Sequence, residues 1–462
     1  MTVAPPRRTP VHAGWHIVLA LAGLMSASGL AAAQENTVHQ QPRADALPSP
    51  TLATANGSQR ILRPEGMLPQ VSAGFALSSY AELRGARMMV FAPNGDLFVS
   101  SPSTNSIHVL RDQNHDGTFE ARGIYANGET YPAPIPPPPP GGEPPPPVLG
   151  VLEGPQSLVK DPPACTPPPD YVVRDEGGIR LPFGLAFTTG YLYVGNTDSV
   201  VRFAYEDGDL EARGAPERLL ILPTGGHRSR NVLFNRDGSK LYISVGSRSN
   251  SDAGEDCRRA AVLEVNPDGT EPRVYGAGIR NPVGLALQPG TDIIWTANNE
   301  RDNLGDDLVP DFVTSVQDGG FYGWPYSYIG SHYDPKFVGA FPELVESTLV
   351  PDVLLPAHSA PLGITFYEGN EFPDRYRNGG FIALHGSWNR TVPTGYRVAF
   401  FPMENGRPGP LEDFMTGFLA NTGEDGKRVE HWGRPVGVVT APDGSLLVSD
   451  DGGNRIWKVT AN

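Results

Sequence analysis

Short apolar runs alternating with polar positions recur along most of the chain, paired around glycine-containing turns. In MMVFAPNGDLFVS, which begins at Met88, two such runs flank Asn94-Gly95. The form returns in FGLAFTTGYLYVG (from Phe183), NVLFNRDGSKLYISVG (Asn231) and VGLALQPGTDIIWTA (Val283). It returns again in GITFYEGNEFPDRYRNGGFIALHG (Gly363) and VGVVTAPDGSLLVSD (Val436). β-Branched and aromatic residues on either side of Asn-Gly, Asp-Gly, Thr-Gly or Pro-Gly predict β-hairpins. A third strand often follows, as in SIHVLRD and VVRFAYE, and FEARG at Phe119 is echoed by LEARG at Leu210. A period of about 45 to 65 residues suits a four-stranded propeller blade. Six such units fill residues 70–462. The pattern predicts an all-β chain: a six-bladed β-propeller of four-stranded antiparallel blades. FALSSYAEL, from Phe75, is expected to pair with the final IWKVTA and so close the ring without a free edge.

The stretches outside the repeat add an address and two irregular segments. Arg7 and Arg8, the apolar run from Trp15 to Leu30, and Ala31-Ala32-Ala33 predict a signal peptide over residues 1–33. The mature protein is then exported, periplasmic or secreted, with no membrane span. Residues 34–65 are polar and aperiodic, and read as a flexible leader before a propeller domain at 66–462. A proline-rich tract at about 131–171 reads as a surface insertion, because the repeat resumes after it. Glycine (54) and proline (48) make up more than a fifth of the 462 residues, which suits many short strands and excludes long helices. The net charge of -15 argues against nucleic acid and anionic membranes as partners. Cys165 and Cys257 are too few for a four-cysteine zinc site, and no CxxCH haem motif is present. An exported chain permits a disulfide between them without requiring it.

Four loops beside the repeat strands carry the candidate chemistry. GGHRSRN, Gly225 to Asn231, offers His227 as a general base, since imidazole titrates near neutrality; a loop histidine tied into hydrogen bonds is the plain alternative. GIRNP places the donor fork of Arg280 beside Asn281, suited to carboxylates or a developing oxyanion, though turn chemistry would explain it too. NNERDNLGDD, from Asn298, is dense in oxygen ligands for calcium, or is a solvated acidic loop. GGFYGWP, from Gly319, supplies aromatics for packing or stacking. Separately, Asp112, Asn114 and Asp116 match the first half of an EF-hand-type calcium loop, or form an ordinary Asp/Asn/Gly turn.

In this order the loops resemble the soluble quinoprotein glucose/sorbosone dehydrogenases, with wording closest to the sorbosone dehydrogenase-like branch. GIRNPVGLAL, NNERDNLGDDLVPD and GGFYGWP carry the resemblance, with GGHRSRNVLFNRDGSKLYISVGS and HSAPLGITFYEG in support. It implies pyrroloquinoline quinone (PQQ) and calcium as cofactors, and oxidation of an aldose or related small-molecule sugar. It also implies a separate electron acceptor. His227 matches the family's catalytic base. Arg280 matches the arginine beside the reactive carbonyl, Asn281 its neighbouring cofactor ligand, and Arg434 in GRPVGVV a partner of the cofactor carboxylates. The family's second C-terminal basic residue falls at Val436, and Arg390 in HGSWNR substitutes for its cofactor-binding lysine. The backbone carbonyls of Glu300 and Arg301 align with its calcium ligands. Two other classes compete with this reading: a calcium-dependent lactonase, and a non-catalytic propeller that binds glycan or protein.

Overall fold

The computed structural model describes residues 1–2, 41–114, 119–134, 172–423 and 428–462. The expected signal peptide, Cys165, Asp116 and most of the proline-rich insertion therefore lie outside the described residues. The chain divides into two units, Met1–Gln40 and Gln41–Asn462, and the sheets of the described residues belong to the second. No helix among the described residues is long and apolar enough to cross a membrane.

The repeat hairpins form as expected. Phe91 faces Leu97 across the Asn94-Gly95 turn, Leu287 faces Ile294, and Thr440 faces Leu446. Among the described residues six sheets of four or five strands result, together with three small sheets. Three of the six depart from the expected four strands. An outer fifth strand is added by Val172–Glu176, by Gly320–Phe321 and by Gln70–Val71 in turn. Each added strand lies along a sheet edge that would otherwise leave backbone donors and acceptors unpaired. The expected closure is present: Phe75–Glu82 runs antiparallel to Arg455–Ala461, pairing Phe75 with Ala461 and Glu82 with Arg455.

The first strands of the six sheets meet one another in a closed sequence. Met89–Phe91 touches Gly184–Thr188, which touches Val232–Phe234; Pro282–Leu287, Pro361–Phe366 and Pro435–Thr440 follow, and the last returns to Met89–Phe91. Glycine permits this approach. A Cβ on Gly284 would stand 2.6 Å from the Leu362 carbonyl, and one on Gly184 would stand 2.5 Å from Asn231 Cα. At the centre, Met88, Phe183, Val283, Leu362 and Val436 form one buried cluster. Each occupies the same position of its repeat, and Asn231 holds that position in the remaining unit. The apolar face of every sheet packs on its neighbour, so the core is a series of inter-sheet clusters around this central plug.

Residues 34–65, read from sequence as a flexible leader, run from Gln41 onward along the loops of the later sheets. Thr51 donates to the Leu304 carbonyl, Asn56 to that of Trp388, and Ile61 to that of His431, each at 2.9 Å. Gln59–Arg60 pairs in parallel with Glu430–His431. Cys257 is disulfide-bonded.

Candidate active site

Antiparallel order collects the chemistry at one end of the ring. Within each sheet the second strand ends beside the start of the first; Gly195 faces Gly184, and Asn298 faces Pro282. Residues that precede a first strand therefore share an end with the loops joining second and third strands. His227, Arg280, Asn281 and Arg434 belong to the former set, and the 299–311 and 385–396 loops to the latter. Asp112 and Asn114 follow the third strand Ser106–Arg111 and so lie at the opposite end, away from His227.

The His227 loop is held by two arginines that sequence reasoning passed over. Arg230, fully buried, donates to the carbonyls of Pro223, His227 and Ser229, each at 2.9 Å. Burial, with Arg259 nearby, pushes its guanidinium down to about 9. Arg259 donates to the Gly246 and Thr224 carbonyls. Held this way, His227 Nδ1 lies 2.9 Å from the Ser247 carbonyl and 3.1 Å from Ser247 Oγ. A carbonyl oxygen only accepts, and Ser247 Oγ spends its own hydrogen on the Ser249 carbonyl at 2.6 Å. Nδ1 must therefore carry the proton, which leaves the lone pair on Nε2. Burial, with Arg280 as the next cause, lowers the His227 pKa to about 4, so the ring is neutral at pH 7.

Asn281 stands beside this histidine across Gly246. A Cβ on Gly246 would lie 2.7 Å from His227 Cβ and would also strike Asn281 Oδ1. That Oδ1 is buried without a hydrogen-bond partner, a polar atom left ready for a donor group of a ligand. Arg280 is fully committed. Its Nε and Nη2 reach the Asn250 carbonyl and Oδ1, both at 3.0 Å, and Nη2 also pairs with Asp302 at 3.3 Å. Nη1 reaches the carbonyls of Asn299 at 3.2 Å and Glu300 at 2.6 Å. The Glu300 carbonyl, one of the two expected calcium ligands, thus already faces a guanidinium. That carbonyl has a second lone pair, but the guanidinium beside it would repel a calcium ion bound there. The Arg301 side chain pairs with buried Asp334. Among the described residues no cluster of three or more His, Cys, Asp or Glu side chains is arranged to hold a metal.

Arg434 donates from Nε and Nη2 to the His385 and Gly386 carbonyls, each at 2.8 Å, and lies over the Tyr396 ring. Arg390 points elsewhere, onto the Asp306 carbonyl at 2.6 Å and Asp307 at 2.7 Å. Its neighbour Asn389 is the one that joins the Arg280 network, through Asp302 at 2.7 Å.

A cavity of about 650 Å³ opens beside His227. Its wall includes Phe183, Asp451 and four arginines, Arg60, Arg84, Arg87 and Arg228. Arg87 Nη2 meets Asp451 Oδ2 at 2.7 Å, and His385 Nε2 meets Asp451 Oδ1 at 2.9 Å. Burial opposes the charge on Asp451, but His385, Arg87 and Arg434 outweigh it and hold the carboxyl below the usual carboxylate range. Burial, with Arg434 beside it, lowers His385 to about 4. Arg87 precedes a first strand just as Arg434 does, so superposing the repeats would have found it. Arg60 lies outside the repeat and left no such signal.

The chain is similar in sequence and in fold to known proteins. The family model described as Glucose / Sorbosone dehydrogenase matches residues 219–387, which include His227, Arg280 and Asn281, and one described as TrAA12-like matches residues 345–462. An uncharacterized protein of Borreliella burgdorferi is 30% identical over 296 residues, covering 61% of this chain and 76% of that one. A pyrroloquinoline quinone-dependent pyranose dehydrogenase of Coprinopsis cinerea is 36% identical over 291 residues; the match covers 50% of this chain but only 39% of the fungal enzyme's length. The solved PQQ domain of pyranose dehydrogenase from the same fungus shares the fold, with a TM-score of 0.63 at 18% identity over 87% of this chain and all (100%) of that one. Residues 219–387 of this chain thus carry a glucose/sorbosone dehydrogenase family domain.

Proposed function

We propose that the protein is an exported, PQQ-dependent sugar dehydrogenase built as a six-bladed β-propeller. The closed sequence of six first strands supports the blade count. The observation that carries the activity is His227, a neutral imidazole whose Nε2 lone pair is free, in a cavity lined with arginines. The residues fit the cofactor in kind. Asn281 Oδ1 is an orphaned buried acceptor, and Arg434 keeps Nη1 free of protein partners among the described residues. PQQ is a planar tricarboxylate, and the guanidinium of Arg434 would pair with one of its carboxylates. When bound, it supplies the two-electron acceptor, which the protein only positions and polarises.

The chain's own work is to take a proton. His227 Nε2 accepts it from the sugar hydroxyl as the carbon-bound hydrogen leaves with its electron pair, and Ser247 keeps the ring in the accepting tautomer. Arg280, anchored by five acceptor contacts, places fixed positive charge near His227, where it would stabilise negative charge that develops in the reaction. Calcium is proposed as a second cofactor on the strength of the family alone. A lactonase would want several side-chain oxygens, carboxylates among them, converging on one ion, and among the described residues no three His, Cys, Asp or Glu side chains are grouped to hold one.

The test is a titration of the purified protein with PQQ and calcium, following cofactor absorbance and dye reduction with a panel of aldoses. Saturable binding with sugar-dependent reduction is expected. His227→Ala should keep cofactor binding and lose turnover by about 10²- to 10⁴-fold. Near-normal turnover in that variant would remove His227 from the role of base.

A further inference from the structure

Three exposed arginines share the wall of the cavity beside His227. Arg60, Arg84 and Arg228 line it and are exposed, and among the described residues none of their guanidinium groups has an ion-pair or hydrogen-bond partner. Some surface arginines find carboxylates, as Arg273 does with Glu264 and Asp318 and Arg218 with Asp175. Arg122, Arg248 and Arg407 are unpartnered too among the described residues, but of the unpartnered arginines only Arg60, Arg84 and Arg228 line this cavity. The three come from separate stretches of chain: a strand in the leader, the loop before Met88 and the loop before Asn231. Arg60 is carried there by specific bonding. Gln59 donates to the Val429 carbonyl at 2.8 Å, and Ser58 Oγ lies 2.7 Å from the Tyr396 hydroxyl and 2.8 Å from His431 Nδ1. Bringing like charges to one cavity costs energy that a bound anion would recover, and it focuses anions toward an otherwise repelling acidic protein.

We propose that Arg60, Arg84 and Arg228 form a carboxylate-binding site beside His227, and that its ligand is a sugar acid. This rests on the dehydrogenase reading and names its substrate class. The cofactor is the other source of carboxylates, and the observations favour the substrate. The residues matched to cofactor binding, Arg280, Asn281 and Arg434, are not in the wall of this cavity. Arg87, which is, already holds Asp451. The three unpartnered arginines are the exposed ones, where a ligand that enters and leaves meets them. A carboxylate on them sets the remainder of the sugar, and its hydroxyls, in the cavity that His227 also lines.

The experiment is calorimetric titration of the full chain, without PQQ, using D-glucuronate and D-glucose as probes at low and high salt. Arg60→Gln, Arg84→Gln and Arg228→Gln are compared with Arg407→Gln, an exposed arginine outside the cavity. Glucuronate should bind more tightly than glucose, and salt should weaken only glucuronate. Each cavity variant should lose about tenfold or more in glucuronate affinity, whereas Arg407→Gln should not. Equal affinity for the two sugars overturns the proposal. So does a fall in PQQ affinity, read by absorbance, in variants whose glucuronate binding is unchanged, since that assigns the arginines to the cofactor. Failure of the unmutated protein to bind PQQ counts against the dehydrogenase reading instead, and the glucuronate comparison still decides this one.

Discussion

At the scale of single residues, the site turns on which nitrogen of His227 holds the proton. The Ser247 carbonyl answers that without any carboxylate behind the ring. A carboxylate partner would raise the pKa of the imidazole; a carbonyl supports the charged form far less. Burial and Arg280 then prevail and bring the pKa to about 4. The base works only when neutral, so activity is lost as pH falls through the folded pKa and is constant above it. The acid limb of kcat/KM should therefore lie near pH 4, with a plateau from about pH 5.5 to 7, rather than near the ordinary histidine value of about 6.5. A pH series of initial rates at low sugar checks this, and an acid limb at 6.5 would mean that His227 is not held as described. His227, Arg280 and Asn281 could be picked out from sequence because rare loop residues flank a regular repeat. Ser247 could not: a serine in SVGSRSN carries no mark until the fold brings its carbonyl to the ring.

At the scale of elements, the hairpins were legible because their signals are local: alternating apolar residues around a turn that needs glycine. The fifth strands were not, since Gln70–Val71, Val172–Glu176 and Gly320–Phe321 take their strand identity from the edges they cover. The same distinction explains the leader, whose polar sequence has no period. Its path is set by backbone bonds to Leu304, Trp388, Val429 and His431, which lie far along the chain. The glycine near the start of four inner strands (Gly184, Gly284, Gly363 and Gly437) has a stricter role than strand propensity suggests. At Gly284 an added Cβ would meet the Leu362 carbonyl at 2.6 Å and the Ile364 nitrogen at 3.1 Å, both backbone atoms of the next sheet. Backbone cannot swing aside as a side-chain tip can. Gly284→Ala should therefore destabilise the fold by about 1–3 kcal/mol through overpacking, despite alanine's lower backbone entropy cost. Thermal melting beside Gly290→Ala is the comparison. Gly290 has open space but a φ of 72°, so its cost is conformational, about 1 kcal/mol. Equal or smaller loss at Gly284 would show that adjacent inner strands can part.

At the scale of the whole molecule, closure decides whether the six sheets act together. Each first strand touches two neighbours, and the sixth sheet is completed only when Phe75–Glu82 meets Arg455–Ala461. Both ends of the repeat are thus tied into one sheet, and Trp457 of the last strand reaches Asp450 with its indole nitrogen at 3.2 Å. Asp450 in turn accepts from the backbone nitrogens of Arg434 and Gly453 at 2.7 and 2.6 Å, which positions the turn that carries Asp451 into the cavity. The closing strand therefore supports the site as well as the ring. Removing residues 455–462 should expose two strand edges, Phe75–Glu82 and Leu446–Asp450, and strip Trp457 from its aromatic contact with Trp432. Such edges pair with other chains, so the truncated protein should aggregate or melt without a single cooperative transition. Restoring the strand as a separate peptide should recover solubility and the sharp transition together, because its partners are already arranged to receive it. A truncated chain that stays monomeric and melts as sharply as the full one would show that five sheets hold the ring without the clasp. The arginine cavity would then owe its shape to the loops alone.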